Sequence, residues 1–179
     1  MISAILSSAV SAAGAALDLV MKHGVESMPD SAFPRDIPGT GGKVQLRKLH
    51  NPGFPMGTLS GRPELVRGLP LAVVSVLTGR FLLLAQRPGK LAEKFGLAAV
   101  IGGGLSNLFD RIFRGFVVDY VHVKAGPLDR IIFNLGDVMI ASGGALMAAA
   151  GFLRMAAGVF RGNAAPGAEM PEETGGNLG

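Results

Sequence analysis

Cysteine and tryptophan are absent from this 179-residue chain, and histidine occurs at only three scattered positions. The lack of cysteine excludes disulfides, cysteine-ligated zinc, iron–sulfur clusters and thiol catalysis. The chain also has no GxSxG element, the signature of one large class of serine hydrolases. These absences predict that the protein holds no metal and no cofactor, and they leave few hydrolytic designs open.

Charged residues are scarce as well, at 17% of the chain against roughly 25% in soluble domains. The hydrophobic share is 49% and the mean hydropathy is +0.41. Glycine is abundant, but no G-X-Y period is present, which excludes collagen. The net charge of +4 comes from basic residues spread along the chain, a pattern that fits an anionic lipid surface better than a nucleic acid. The composition predicts an integral membrane protein with membrane lipids, and no nucleic acid, as partners.

Four stretches approach the roughly 20 apolar residues that a membrane helix needs. They are 2–21, 69–85, 91–109 and 131–159. The first lacks the positive segment that precedes a cleaved signal peptide, so we expect it to be retained as a membrane helix. We predict one transmembrane domain over 1–160 with a loop insert at about 23–65, followed by a disordered polar tail at 161–179. A monomer is the simplest expectation.

Two segments between the apolar stretches have the features of strands. Residues 42–49, GKVQLRKL, alternate apolar and polar side chains, which predicts a small strand. Residues 116–121, FVVDYV, predict a strand or an amphipathic edge. The triplet Gly102–Gly104 favours close helix packing over phosphate binding, since GGGLSN does not match a phosphate loop.

Ionisable residues inside apolar segments are costly and therefore informative. Six polar residues fall in one short window: Asn107, Asp110, Arg111, Asp119, Asn134 and Asp137. Helical spacing places the first three on one face, and Asn134 and Asp137 on one face of the next helix. Asp137 has no basic residue nearby in the sequence, so its partner must come from another segment, with Asp119 and Arg111 as the candidates.

Two further pairs have i,i+4 spacing, Asp18 with Lys22 and Asp110 with Arg114. Taken alone, these pairs are explained by salt bridges at helix ends. Two carboxylates brought close together instead share a proton, so one takes a proton from water while the other donates to a substrate carbonyl. Asn134 and Arg111 would orient such a pair and stabilise an oxyanion. Spacing also allows a proton relay in a small transporter, which is the alternative hypothesis.

Five elements, in order, resemble the lipoprotein signal peptidases, also called signal peptidase II. GGGLSNLFDR (102–111) resembles the family's GNxxDR element, GFVVDY (115–120) its GxVxDF element, and FNLGD (133–137) its FNxAD element. Asp18 and Lys22 match a DxxxK pattern, and Asn51 and Gly53 match the start of an NxGxAF element. Ser106, Tyr120 and Gly136 stand where Gly, Phe and Ala are usual, and Pro52 and Pro55 alter the loop after Asn51.

The resemblance implies an all-α membrane protein of four transmembrane helices with a small extracytoplasmic β-cradle formed largely by the first long loop. It implies a bacterial plasma membrane enzyme that cleaves signal peptides from diacylglyceryl-modified prolipoproteins. Asp119 and Asp137 are then the catalytic dyad, and the other matched residues support it or bind substrate. The distribution of basic residues conflicts with this orientation. Loops rich in Lys and Arg are usually cytoplasmic, and seven basic residues lie in the first loop and four in the third. We follow the resemblance.

Overall fold

A computed structural model describes residues 2–54 and 58–162. Its main elements are four helices that cover the four apolar stretches: α1 (Ile2–Glu26), α2 (Pro63–Ala85), α3 (Leu91–Phe113) and α4 (Leu135–Gly162). The predicted disordered tail lies outside the described residues from 163 onward, and Pro55 of the altered loop does as well.

The first three helices extend beyond their apolar stretches because their ends are polar, whereas α4 begins at Leu135, four residues after the predicted start at 131, because Ile132–Phe133 form a short strand. α2 begins at Pro63, six residues before the predicted start at Leu69. Proline suits the first position of a helix, where its missing N–H costs nothing, and Glu64 in the first turn complements the helix dipole. The loop insert therefore runs from 27 to 62 rather than from 23 to 65.

Three of the four helices are long and apolar enough to cross a membrane: Ile2–Glu26, Pro63–Ala85 and Leu135–Gly158. Large apolar side chains on them point outward, among them Val10, Val76 and Leu153, each more than 60% exposed. An apolar exterior of this kind suits a lipid surrounding. α3 falls short of the same apolar character, and charged residues near both of its ends are buried: Glu93, Lys94, Asp110 and Arg111.

α3 is the central helix of the bundle, and its triplet Gly102–Gly104 explains why. A Cβ atom on each glycine would meet a different neighbour: Ser11 of α1, the carbonyl oxygen of Gly136 in α4, and Val74 of α2. Small residues let helix backbones approach closely in a membrane. The prediction that the triplet serves helix packing is confirmed.

A four-stranded antiparallel sheet, in the order β1-β2-β3-β4, covers one end of the bundle. Its strands are β1 (Arg35–Asp36), β2 (Val44–Asn51), β3 (Val117–Val123) and β4 (Ile132–Phe133). Both predicted strands are present. The first long loop supplies β1 and β2, ten of the nineteen strand residues, and the segment between α3 and α4 supplies β3 and β4.

A small core joins the sheet to α1. Val25 of α1, Val118 and Tyr120 are buried together, with Phe33 and Leu46 packed against them. This core fixes β3 over the end of the bundle where α1 and α3 end and α4 begins. The predicted polar residues are concentrated at that junction.

Candidate active site

The start of α4 holds Asp137 through a reciprocal pair of hydrogen bonds. Asn134 precedes the helix, and its Oδ1 accepts the N–H of Asp137 at 2.9 Å. Asp137 Oδ2 in turn accepts the N–H of Asn134 at 3.2 Å. This is the geometry of a capping box, which satisfies the free N–H groups of a helix start. The local sequence therefore fixes one oxygen of Asp137, at a helix end where a negative charge is favoured.

Asn134 also reaches the second aspartate. Its Nδ2 donates to Asp119 Oδ1 at 2.7 Å, and Asn51 Nδ2 of β2 donates to Asp119 Oδ2 at 3.2 Å. A single buried amide thus joins the carboxylate of β3 to the helix start that carries Asp137. Asp119 is 3% exposed, whereas Asp137 is half-buried and within reach of water.

Asp119 is a carboxyl group in an unfavourable place for charge. Burial is the main cause that raises its pKa, from an ordinary value of 3.8 to about 6, and the nearby charge of Asp137 raises it further in the same direction. Hydrogen bonds from Asn51 and Asn134 act in the opposite sense. Asp119 therefore carries a proton more readily than an ordinary aspartate and senses the charge of Asp137.

Lys22 of α1 is the centre of the polar cluster behind the aspartates. Its Nζ has no exposed surface and lies 2.8 Å from Asp18 Oδ2, 3.4 Å from Asp110 Oδ2 and 2.7 Å from Asn107 Oδ1. Asn107 then donates through Nδ2 to Asp137 Oδ1 at 2.8 Å. A chain of contacts consequently runs from α1 through α3 to Asp137.

Asp110 links the same lysine to the strand of Asp119. Its Oδ2 accepts the N–H of Val118 at 3.1 Å, and its Oδ1 lies 2.5 Å from Arg114 Nη1. Both predicted i,i+4 salt bridges are thus present. The structure adds that Asp18, Lys22 and Asp110 are buried and joined in one cluster, rather than forming separate pairs at solvated helix ends.

Arg111 lies beside the aspartates without bonding to either of them. Its guanidinium donates to the carbonyl oxygens of Asn107 at 3.3 Å and Gly53 at 3.1 Å, and lies over the ring of Phe54. Its Nε is buried without a hydrogen-bond partner in the part of the chain that the structure describes. Gly53 is held in turn by Asn51, whose Oδ1 accepts the Gly53 N–H at 3.1 Å.

All ten residues singled out from the sequence therefore meet at one end of the bundle. Among residues 2–54 and 58–162, no group of three His, Asp or Glu side chains is arranged to hold a metal ion. Sequence reasoning missed the capping box, although N-x-x-D before an apolar run is a signal for it. It also missed the contacts of Ser106 and Tyr120 with Asp18, for which no local pattern exists.

The fold is that of bacterial membrane enzymes. Two solved structures, each described as a bacterial membrane enzyme, superpose on this chain with TM-scores of 0.70 and 0.65, both at 19% identity. The first match covers 87% of this chain and 90% of the other, and the second covers 84% and 92%. At this identity the likeness concerns the fold alone.

The sequence narrows the class to one family. Residues 10–153 match the family model described as Signal peptidase (SPase) II. A lipoprotein signal peptidase of Moorella thermoacetica is 31% identical over 60% of this chain and 67% of its own length. One of Syntrophus aciditrophicus is 34% identical over 60% of this chain and 68% of its own length. The chain belongs to the signal peptidase II family of aspartic proteases, and this membership gives no support to the transporter alternative.

Proposed function

We propose that this protein is a membrane aspartic endopeptidase that removes signal peptides from diacylglyceryl-modified prolipoproteins, with Asp119 and Asp137 as its catalytic dyad. The observation that carries the proposal is the Asn134 side chain, which bonds to Asp119 Oδ1 and to the N–H of Asp137 at once. Family membership supports the reaction, and this geometry supports the choice of residues.

The two aspartates have environments suited to different roles. Asp137 is half-buried, and two donors and a helix start face its carboxylate, so it suits the base that takes a proton from water. Asp119 is buried and its pKa is raised to about 6, so it suits the acid. The water oxygen attacks the scissile carbonyl carbon while Asp137 takes a proton from the water and Asp119 gives its proton to the carbonyl oxygen. The C–N bond then breaks as Asp137 passes its new proton to the leaving amine, and Asp119 takes back a proton from a hydroxyl of the tetrahedral intermediate, which leaves a carboxylic acid.

Arg111 and the loop of Asn51 and Gly53 form the side of the site toward the sheet. The Nε–H of Arg111, which has no hydrogen-bond partner among the described residues, is a donor for a substrate carbonyl or for developing negative charge. Asn51 couples this loop to Asp119 directly, while Arg111 couples it to α3 through the Gly53 carbonyl. We assign these three residues to substrate binding and to orientation of the dyad.

An apolar substrate has a route to this site along the bundle. A groove of about 290 Å³ between α1, α3 and α4 begins at Leu135, two residues before Asp137, and extends to Leu146. Val10 on its rim is 62% exposed. We propose that the apolar part of a signal peptide lies along this groove, with its acyl chains in the surrounding lipid.

We propose that all four helices span the plasma membrane, with the sheet and the dyad on the extracytoplasmic side. α3 is shielded by the other three helices, which allows a less apolar sequence to span. Single cysteines test this orientation cleanly because the chain has none. Ser60→Cys near the sheet end should react with a membrane-impermeant thiol reagent in intact cells, and Gln86→Cys at the other end should not.

The decisive experiment uses purified protein and a synthetic lipid-modified prolipoprotein. Asp119→Asn and Asp137→Asn should each lower turnover by orders of magnitude while the protein stays folded, and Asp36→Asn on strand β1 should cleave like the wild type. Wild-type turnover in either dyad variant would refute the assignment. An unmodified prolipoprotein, cleaved much more slowly, tests the requirement for the diacylglyceryl group. Ion flux in proteoliposomes without peptidase activity would instead favour a small proton-coupled transporter that uses the same aspartates as a relay.

A further inference from the structure

Two hydroxyl groups hold the two oxygens of the buried Asp18 carboxylate. Tyr120 Oη donates to Asp18 Oδ1 at 2.8 Å, and Ser106 Oγ donates to Asp18 Oδ2 at 2.6 Å. Ser106 is 1% exposed, and the other two side chains have no exposed surface. With Lys22 on the same Oδ2, the carboxylate has a partner on each oxygen. Buried polar groups of this kind are costly unless every partner is in place.

Tyr120 makes a second contact, to the helix that carries Asp137. Its Oη accepts the N–H of Leu135 at 3.0 Å, and Leu135 is the first residue of α4. The first N–H groups of a helix have no partner within the helix, so this bond satisfies one that the capping box leaves free. One phenol oxygen thus joins α1 to the start of α4.

The contacts of β3 with the start of α4 come from two consecutive residues on each side. Asp119 bonds to Asn134, and Tyr120 bonds to Leu135. Burial, followed by the charge of Asp18, raises the pKa of Tyr120 above its ordinary value, so the phenol keeps its proton and its role as donor. The Tyr120 hydroxyl therefore keeps the proton that it donates to Asp18.

We propose that Tyr120 is a positioning residue for the reaction: its hydroxyl, held by Asp18, fixes the start of α4 against β3 and so fixes Asp137 relative to Asp119. Ser106 supports the same carboxylate from α3. The inference rests on the function proposed above, because it assigns Tyr120 a role in the geometry of that dyad. Small displacements of reacting groups have large effects on rate, which is why one hydroxyl matters here.

Tyr120→Phe removes a single oxygen and tests the proposal. We expect kcat on the lipid-modified prolipoprotein to fall by about tenfold to a hundredfold with KM unchanged, because the contact acts on the dyad and not on substrate binding. Hydrogen–deuterium exchange at the Leu135 amide should become faster in the folded variant. Thr78→Val is the matched control, since the Thr78 hydroxyl donates to Val74 O of its own helix, and kcat should stay at the wild-type value.

The outcomes separate this inference from the proposed function. Wild-type kcat in Tyr120→Phe, with cleavage still abolished in Asp119→Asn, overturns the role of Tyr120 alone. Absence of cleavage by the wild type overturns the proposed function and this inference together. If Tyr120→Phe does not fold, Ser106→Ala tests the same proposal. A lower kcat at unchanged KM supports the positioning role of Tyr120 and its Asp18 partner, and wild-type kcat overturns it.

Discussion

Replacing Asp119 by asparagine should change the stability of the protein in a way that depends on pH. The substitution keeps the shape of the side chain and removes its charge. In the folded protein, burial and the charge of Asp137 raise the pKa of Asp119 from 3.8 to about 6. The ionised carboxylate therefore destabilises the folded state at neutral pH, and protonation removes that cost.

The size of this destabilisation follows from the ordinary and the raised pKa of Asp119. Between pH 3.8 and about 6 the folded protein binds more protons at this site than the unfolded chain, so the free energy of unfolding falls as pH rises through that window. At 1.36 kcal/mol for each pH unit, the loss amounts to about 3 kcal/mol. The Asp119→Asn variant has no ionisable group at this position, so its free energy of unfolding does not fall in this way. The asparagine instead turns an NH₂ group toward Asn51 or Asn134, at a pH-independent cost of about 1–3 kcal/mol.

Thermal unfolding in detergent, measured from about pH 3.5 to about pH 7.5, checks the reasoning. The midpoint of the variant minus that of the wild type should rise by about 6–12 °C across the series, since 1 kcal/mol shifts a chain of this size by about 2–4 °C. Asp30→Asn, on a side chain that is 91% exposed, controls for loss of a negative charge. A difference that stays constant from acid to neutral pH would refute the assignment of a raised pKa to Asp119.

Three further predictions follow from the site and the helix packing. If Asp119 is the acid, kcat/KM should fall as pH rises above about 6, and a steady-state profile without such a limb would contradict that role. Lys22→Met leaves the buried Asp18 carboxylate without its cation, while Asp110 keeps Arg114, and should cost about 3–5 kcal/mol of unfolding free energy, read from thermal or denaturant unfolding. Gly103→Ala places a methyl group against the carbonyl oxygen of Gly136, so it should lower the free energy of unfolding by about 1–3 kcal/mol and also lower activity. Gly79→Ala has open space around its Cβ and should not destabilise the protein.

The helices were predictable because a membrane span leaves a strong signal in the sequence. Long apolar runs located all four helices, but their polar ends could not be inferred from hydropathy. α1 continues to Glu26, beyond the apolar run, because its last turns pack against the sheet through Val25. α3 has the least typical composition for a span, since buried charged residues lie near both of its ends.

The sheet was predictable only in its long strands. Alternating side chains indicated β2, and the run FVVDYV indicated β3; the two strands pair along most of their length. β1 and β4 have two residues each, too few for any periodic pattern, and they exist because a partner strand is already in place.

Within the site, the sequence could indicate which residues share a helix face but not which faces meet. The i,i+3 spacing of Asn134 and Asp137 had a local consequence, the capping box. Lys22 lies more than 80 residues from Asn107 and Asp110 in the sequence, so no local pattern could indicate its contacts with them. Contacts of this kind depend on how α1 packs against α3. The glycine triplet lets the two helices approach closely, but it does not specify their register.

The buried charges behind Asp119 and Asp137 are better explained by geometry than by stability. Desolvating Lys22 together with Asp18 and Asp110 costs free energy that their mutual attraction offsets only with complete hydrogen bonding, so a buried ion cluster is weak evidence for stabilisation. An apolar junction would hold the helices together as well. It would not supply a fixed acceptor for Tyr120 or a fixed donor for Asn107. The cluster joins α1, α3, β3 and α4 through directional bonds: it reaches Asp137 through Asn107, and it reaches Val118 and Tyr120, the two neighbours of Asp119 in β3, through Asp110 and Asp18.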